Sequence, residues 1–568
     1  MRRLKYLALS TALALSMAAP ARAQSLDEMK AIILQLQKRV EQLEAAQRHG
    51  QGEHPAPSAH AAATPRAATA AARAAAQRAA PATRATAQTE AQMQAAQQAA
   101  EQAQEAAAQA QASAAQAQQQ AAQAKETAAA EVKAAFAPPP GRPGGSFRIP
   151  GTETVVRIYG FAKVNGISDL TTTDRSDSLN AQAIPLFGTA AQRQGGGDTQ
   201  FSARRSRFDV ETWTPVNAAF GEFHSLMEMD FAGQNTSLTT QSTSNSYTPR
   251  LRKFYFDFGK PTGGWGALLF GQESSVYSDT ALLPIQWMAD WTFAGLDNIR
   301  QAQVRYTYGF GKGVTAAFAV ESPYSDVTTA TGTSYPDSNG GGGFGWQQSP
   351  DFTGRLVWKQ DWGLLALRGV ARPQIGLNNE GATSVSARFN KTTAGYGVGP
   401  TAVLNLFERK LVLMASGNFG SGLGRYLDNT SNGFGAVSNA GLPGVAGNQA
   451  SLEAVDVYGG MVGLQYFFTP TIRTNMALGG ARMNLPGYVS QFGGCVGAAL
   501  ATGTCSATNS ALWSGTINIV WSPFRAVDLG FEYQHVERHL QSAFSTGPGT
   551  ATTGGIQNRL QVTAIGRF

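Results

Sequence analysis

The stretch Arg250-Leu-Arg-Lys-Phe-Tyr-Phe-Asp-Phe-Gly-Lys-Pro-Thr-Gly-Gly-Trp-Gly-Ala-Leu-Leu-Phe-Gly-Gln-Glu273 decides the fold. Phe254, Phe256 and Phe258 share one phase of a two-residue period, and Lys253, Tyr255 and Asp257 share the other. Lys260-Pro-Thr-Gly-Gly264 then reads as a tight turn, and a second strand-like segment follows. The charged face cannot look at lipid, where a Lys or Arg at the midplane costs roughly 2–4 kcal/mol. It must line a wet interior, so the pair is expected to belong to a transmembrane β-barrel.

Sixteen such segments run from residue 154 to the C-terminus: 154–167, 201–213, 218–231, 250–259, 265–273, 300–309, 314–322, 351–360, 363–373, 394–406, 410–421, 455–468, 472–483, 510–521, 526–540 and 557–568. The gaps between them alternate between long, Gly/Ser/Asn/Thr-rich connections and tight turns such as Thr214-Pro215, Gly309-Phe-Gly-Lys-Gly313, Thr469-Pro470 and Ser522-Pro523. An even-stranded barrel with long outer loops and short periplasmic turns requires this segregation; a soluble sandwich does not. In 526–540, Val527, Leu529, Phe531 and Tyr533 oppose Asp528, Gly530, Glu532 and Gln534. The last strand, Leu560 to Phe568, ends on an aromatic residue and resembles the assembly signal read by the barrel-assembly machinery. Closing it on 154–167 removes both sheet edges.

One connection is unlike the rest. Gly271 to Arg300 contains Leu282, Leu283, Trp287, Trp291 and Phe293, too apolar for an ordinary solvated loop. As the third long loop it is expected to fold into the lumen and narrow it.

The first 150 residues have a different character. Met1-Arg-Arg-Leu-Lys-Tyr, an apolar run from Leu7 to Ala19, and Ala21-Arg-Ala23 form a secretory signal over residues 1–23, with cleavage before Gln24. Leu26, Met29, Ile33, Leu36, Val40 and Leu43 then keep heptad spacing, so residues 24–48 are expected to form a periplasmic coiled coil. Residues 49–150 read as an Ala/Pro/Gln-rich linker and spacer, with helix plausible between Gln88 and Phe136 and a stop at Ala137-Pro-Pro-Pro-Gly-Arg-Pro-Gly-Gly145. Residues 151–568 are the barrel domain.

The chain has 568 residues and a formal net charge of +7, but from Gly151 onward it carries 29 Lys+Arg against 28 Asp+Glu, a net of +1. Nothing in the barrel asks for nucleic acid, and any charge selectivity has to be local. A mean hydropathy of −0.20 fits strands that are half wet. Cys495 and Cys505 lie close together in a Gly/Ala/Thr-rich connection. In an oxidising compartment a local disulfide is favoured over free thiols or a metal pair.

Taken together, the signal, coiled coil, spacer and sixteen-stranded barrel opening with Arg157-Ile-Tyr-Gly-Phe-Ala-Lys163 resemble the DcaP-like outer-membrane porins. So do Leu269-Phe-Gly-Gln-Glu-Ser-Ser-Val-Tyr-Ser-Asp279, Leu283-Pro284 and Arg300-Gln-Ala-Gln-Val-Arg-Tyr306. The resemblance implies a homotrimer in outer-membrane lipid and passive uptake of small organic anions such as dicarboxylates; separately, no cofactor and no metal are expected.

Strand phase puts Arg205, Arg207, Lys253, Arg305, Arg355, Lys359, Arg368, Arg372, Arg473 and Arg559 on polar, pore-lining faces. The planar guanidinium suits carboxylate recognition, although for any single arginine pairing with a lumen acid is the favoured reading, with Glu222, Glu228 and Asp230 available to Arg205 and Arg207. In the third loop, Glu273, Asp279, Asp290 and Asp297 either oppose the basic wall across the lumen or tie the loop to it. His224 and His535 are isolated, no catalytic constellation is visible, and an enzyme is not expected. A structural anchor reaching the cell wall through the coiled coil and spacer is the alternative to a porin. The cysteine reading has a direct check: under denaturing, non-reducing conditions neither Cys495 nor Cys505 should react with a maleimide until reductant is added.

Overall fold

The computed structural model describes residues 85–136, 139–172, 179, 181, 184–233, 248–282, 294–296, 298–330, 344–427, 435–440, 442, 444–492, 508–547 and 550–568. The signal at 1–23, the heptads at 24–48, the linker as far as residue 84, Asp290, Asp297, Cys495 and Cys505 lie outside the described residues.

A single long helix, α1, runs from Ala85 to Phe136. Ala and Gln favour it through low side-chain entropy cost. Its side chains from 98 to 127 are exposed, as expected where the sequence offers no large apolar residues to bury. No described helix is long and apolar enough to cross a membrane.

Sixteen antiparallel strands close into a ring. They are β1 Val155–Asp169, β2 Arg207–Asn217, β3 Gly221–Asp230, β4 Arg250–Lys260, β5 Gly266–Ser274, β6 Arg300–Gly311, β7 Val314–Glu321 and β8 Asp351–Gln360. The ring continues with β9 Gly363–Asn378, β10 Asn390–Leu406, β11 Leu411–Ser421, β12 Asp456–Thr469, β13 Ile472–Asn484, β14 Asn509–Phe524, β15 Val527–Gly547 and β16 Thr550–Arg567. Each pairs with its neighbours in sequence, and β16 returns to β1 in a register running from Phe161 opposite Arg567 to Asp169 opposite Arg559. All sixteen expected strands are present, most within three residues of the expected bounds.

The faces separate as their phase requires. Phe254, Phe256, Leu529 and Phe531 point outward and are exposed, while Asp528, Glu532 and Gln534 are buried inside. The short turns hold two to five residues, such as 312–313, 470–471 and 261–265, where Gly263 takes a φ of 73° that suits glycine.

Three expectations shift. Pro215 and Pro523 are not turns: both sit at strand ends beside irregularities in the ladder, where a missing N–H is tolerated, and the turns fall at 218–220 and 525–526. The expected strand 201–213 is split into Asp198–Ser202 and β2, and both pieces pair with β1. The eighth outer connection is not long; β15 and β16 continue pairing to Gly547 opposite Thr550, because Ser and Thr there extend the ladder. Two other outer connections meet in a small sheet of Val327–Thr329, Ala436–Ser438 and Leu452–Ala454.

The outward faces generate a stability prediction. Phe531 lies four residues into β15, between Ile519 and Val562. Phe531→Arg should destabilise the folded barrel in lipid by roughly 2–4 kcal/mol, measured by reversible denaturant titration in vesicles.

Candidate functional site

The inner wall of β2 to β4 is built from alternating residues whose outward neighbours are apolar. Arg207 lies 3.3 Å from Glu228. Arg252 donates through Nε to Glu228 at 2.6 Å and through Nη1 to Asp230 at 2.8 Å. Arg250 grips Asp230 with two bonds, at 2.9 and 2.6 Å. Asp209 stands in register with Glu228, and Arg204 and Arg205 sit on the bend that enters β2. Arg207, Arg250 and Arg252 thus share this wall with Asp209, Glu228 and Asp230.

Arg252 owes its place to a ladder irregularity: Glu228 pairs with Lys253 but Met229 pairs with Leu251, so Arg252 is the extra residue. A bulge re-aims a side chain, and both Arg252 and Lys253 find acidic partners on the inner wall, Lys253 at 2.9 Å from Glu273. Strict alternation finds Lys253 and misses Arg250 and Arg252. The signal available in the sequence is the double phase of Arg250-Leu-Arg-Lys, which no uniform strand can satisfy.

The third long loop is tied to a different part of the wall. The Val276 N–H donates to Glu321 at 2.9 Å. The Tyr277 carbonyl accepts from Arg368 and the Ser278 carbonyl from Arg355, both at 3.0 Å. Asp279, with no exposed side-chain surface, accepts from Arg355 at 3.4 Å and from the Thr401 hydroxyl, with Arg368 at 3.8 Å. Farther along, the Ala294 N–H donates to Ser514 and Asn418 donates to the Gly295 carbonyl, each at 3.0 Å. Leu282, Ala294 and Leu296 pack in one apolar cluster with Met414, Met461, Leu512 and Val536 of the wall, joined by Leu179, Ala181 and Ile184 of the first long connection. Burial pushes the Tyr277 hydroxyl up to about 12, so it stays neutral.

The remaining expected basic residues are spread around the ring. Arg305 donates to Gln303 at 2.9 Å and to the Ser274 carbonyl. Arg372 is buried against Asp326 at 2.6 Å and Asp351 at 3.6 Å. Arg559 is buried against Asp169 at 2.7 Å, closing β16 on β1. Arg473 binds Ser522 at 2.8 Å and Asp528 at 3.2 Å near the short turns. Lys359 is exposed beside the 361–362 turn. Glu222, weighed as a partner of Arg207, instead takes Arg142 from the segment before the barrel, and Arg142 also lies 4.9 Å over the ring of Trp213. His224 is held between Asp257 at 2.6 Å and Glu211 at 2.9 Å on the inner wall. These groups come from neighbouring strands, and their meeting depends on register.

One brace had no legible signal. Tyr426, from the connection after β11, packs edge-on against Tyr277 with ring centres 5.7 Å apart. Its hydroxyl donates to Asp351 at 3.0 Å and accepts from Gln301 at 2.9 Å. Two loops distant in sequence therefore support each other.

A closed sixteen-stranded barrel with an apolar exterior, a charged interior and a loop anchored to the inner wall is a channel architecture. The family described as the porin subfamily matches residues 144–437, more than half of the chain. The chain belongs to the porin subfamily. No curated protein matches it at the level of sequence. Among solved structures, this porin is similar to the outer membrane channel DcaP of Acinetobacter baumannii, with a TM-score of 0.54 and 18% identity over 75% of this chain and 100% of that one. The anion-selective porin from Comamonas acidovorans aligns at a TM-score of 0.42 and 11% identity, over 73% of this chain and 100% of that one. OmpT of Vibrio cholerae aligns at 0.41 and 9%, over 74% and 99%. The porin resides in the bacterial outer membrane, where its outward strand faces meet lipid.

Asp279 is the acid on which the loop anchorage turns. Asp279→Ala removes the carboxylate that Arg355 and Arg368 approach and should weaken the loop attachment by roughly 1.5–3 kcal/mol, the range for a hydrogen bond to a charged group. Single-channel conductance should then rise or become noisy, and a protease added from outside should cut the loop faster than in the parent protein.

Proposed function

We propose that this porin passes small hydrophilic solutes by diffusion, prefers organic anions such as dicarboxylates, and works as a trimer whose lumen is narrowed by the third loop. One observation carries the anion preference. The loop's Asp279 is paired with Arg355 and Arg368, whereas Arg207, Arg250 and Arg252 gather on the wall of β2 to β4 around Glu228 and Asp230. The described loop segments are held by residues of β7 to β15, and the middle of that arc, β10 to β12, lies eight strands from β2 to β4 in the ring of sixteen, across the lumen. A solute passing between them meets guanidinium groups on one side and an Asp279 already paired with arginines on the other, and forked guanidinium geometry suits carboxylates.

Reversal potentials under a KCl gradient across a planar bilayer test this. The parent protein should favour chloride, and Arg252→Glu should move the reversal potential towards potassium. A parent channel that prefers potassium, or that does not conduct, removes the proposal.

A second reading has its own support. At 1.5 Å per residue, the 52 residues of α1 span about 78 Å, and its exposed Ala/Gln surface suits a spacer between the barrel and the heptads of 24–48. In this reading the signal at 1–23 is removed, the N-terminal region is periplasmic and the barrel serves as an envelope anchor. Deleting residues 24–145 separates the two roles. Conductance and uptake should survive in a porin, whereas loss of envelope integrity with normal conductance identifies a tether.

A further inference from the structure

We propose that residues 139–148, just ahead of the barrel, are a strap fixed along the inner side of its periplasmic rim, and that Arg142 is the positioning residue whose grip on β2 and β3 limits the size of solute that can leave. The proposal rests on the porin reading above and adds to it a control at the exit.

The sequence folds this segment into turns rather than into a loose linker. In Pro139-Pro-Gly-Arg142 the Arg142 N–H donates to the Pro139 carbonyl at 3.1 Å, and in Pro143-Gly-Gly-Ser146 the Ser146 N–H donates to the Pro143 carbonyl at 3.3 Å. The third residue of each turn is a glycine at positive φ, Gly141 at 77° and Gly145 at 82°, as a type II turn requires. Pro140 pre-sets the second position of the first turn. Two hydrogen-bonded turns in succession, with prolines at 139, 140 and 143, leave the backbone little freedom. What reads in the sequence as the end of a spacer is built to hold one shape.

One end of the strap is stitched into the wall. β16 accompanies β1 only as far as Phe568, whose N–H and carbonyl pair with Gly160 at 3.2 and 3.3 Å. Below that point β1 keeps β2 on one side and would present a bare edge on the other. Ser146–Arg148 fills this edge as a short antiparallel strand, with Ser146 opposite Arg157 and Arg148 opposite Val155. The Ile149 N–H then donates to the Thr154 carbonyl at 2.9 Å, closing the hairpin that leads into β1.

The other end reaches the lumen side of the rim. Trp213 lies on the inward phase of β2 with Asp209 and Glu211, in register with His224 of β3. Arg142 stands 4.9 Å over the Trp213 ring and donates to Glu222, the second residue of β3. Trp213 is buried and stacks in turn on His224, with ring centres 5.6 Å apart, and Asp257 and Glu211 hold that histidine at 2.6 and 2.9 Å. One guanidinium thus meets an aromatic face on one strand and a carboxylate on the next, a combination that a planar cation satisfies well. Between Ser146 on the β16 side of β1 and Arg142 over β2 and β3, the strap crosses the inner face of the rim and takes up part of the exit's cross-section. Arg142 is the side chain that keeps it against the wall.

Polymer exclusion in planar bilayers tests this, with polyethylene glycols of graded size added to each side of a single channel in turn. A polymer that enters lowers the conductance, and one that is too large leaves it unchanged. Orientation is read with a bulky thiol reagent on a Lys359→Cys background, since Lys359 is exposed beside the 361–362 turn. In Arg142→Ala the largest polymer admitted from the periplasmic side should shift upward, while the limit from the outer side stays where the parent has it. Arg142→Lys, which keeps a cation for Glu222 and Trp213, should remain near the parent limit. Heat-modifiable mobility on gels shows that each variant is a folded barrel. A conducting parent whose periplasmic limit does not move in Arg142→Ala overturns the strap and leaves the porin reading standing. A limit that moves from both sides reports a deformed barrel and overturns the role given to Arg142. A parent that does not conduct overturns the porin reading and the strap's part in passage together.

Discussion

In hydrocarbon there is no water to satisfy a backbone N–H or carbonyl, and every other feature of this protein follows from that constraint. Strands can meet it only by pairing on both edges, so the sheet must return on itself, and it does so where β16 lies against β1. Closure fixes which face of each strand is inside. The buried pair of Arg559 and Asp169 sits at this seam, joining the last strand to the first from within. Outward residues must then be apolar, and inward ones are free to be charged.

Freedom to be charged is not freedom from desolvation. Arg368, Arg372 and Arg559 are almost wholly removed from solvent, and each is held by carboxylates or carbonyls. A buried ion needs its partners, since an unpaired one costs several kcal/mol. The lumen is therefore divided in function. On one side, arginines fasten loops to the wall. On the other, Arg207, Arg250 and Arg252 gather around Glu228 and Asp230.

The loops follow the same logic. A long insertion inside a barrel has to pair its backbone and bury its apolar residues. The third loop does so by giving its carbonyls to Arg355 and Arg368 and its leucines to Met414, Met461 and Leu512. Tyr426, from another loop, reaches in to brace Tyr277. This support joins the described segments of the loop to the wall.

The sequence by itself determined the number of strands, most of their bounds, the face each residue shows and the identity of the odd loop. These rest on short-range rules: a period of two, turn residues at one end, and the cost of a charge in lipid. Arg207, Arg355 and Lys253 could be placed inside on phase alone. Only the tertiary structure decided which charges meet. Register brings His224 between Glu211 and Asp257, a bulge turns Arg252 inward, and ring closure sets the loop's wall opposite the basic one. Pairing across strands depends on offsets of a single residue and on contacts between segments more than a hundred residues apart, and no local pattern encodes either.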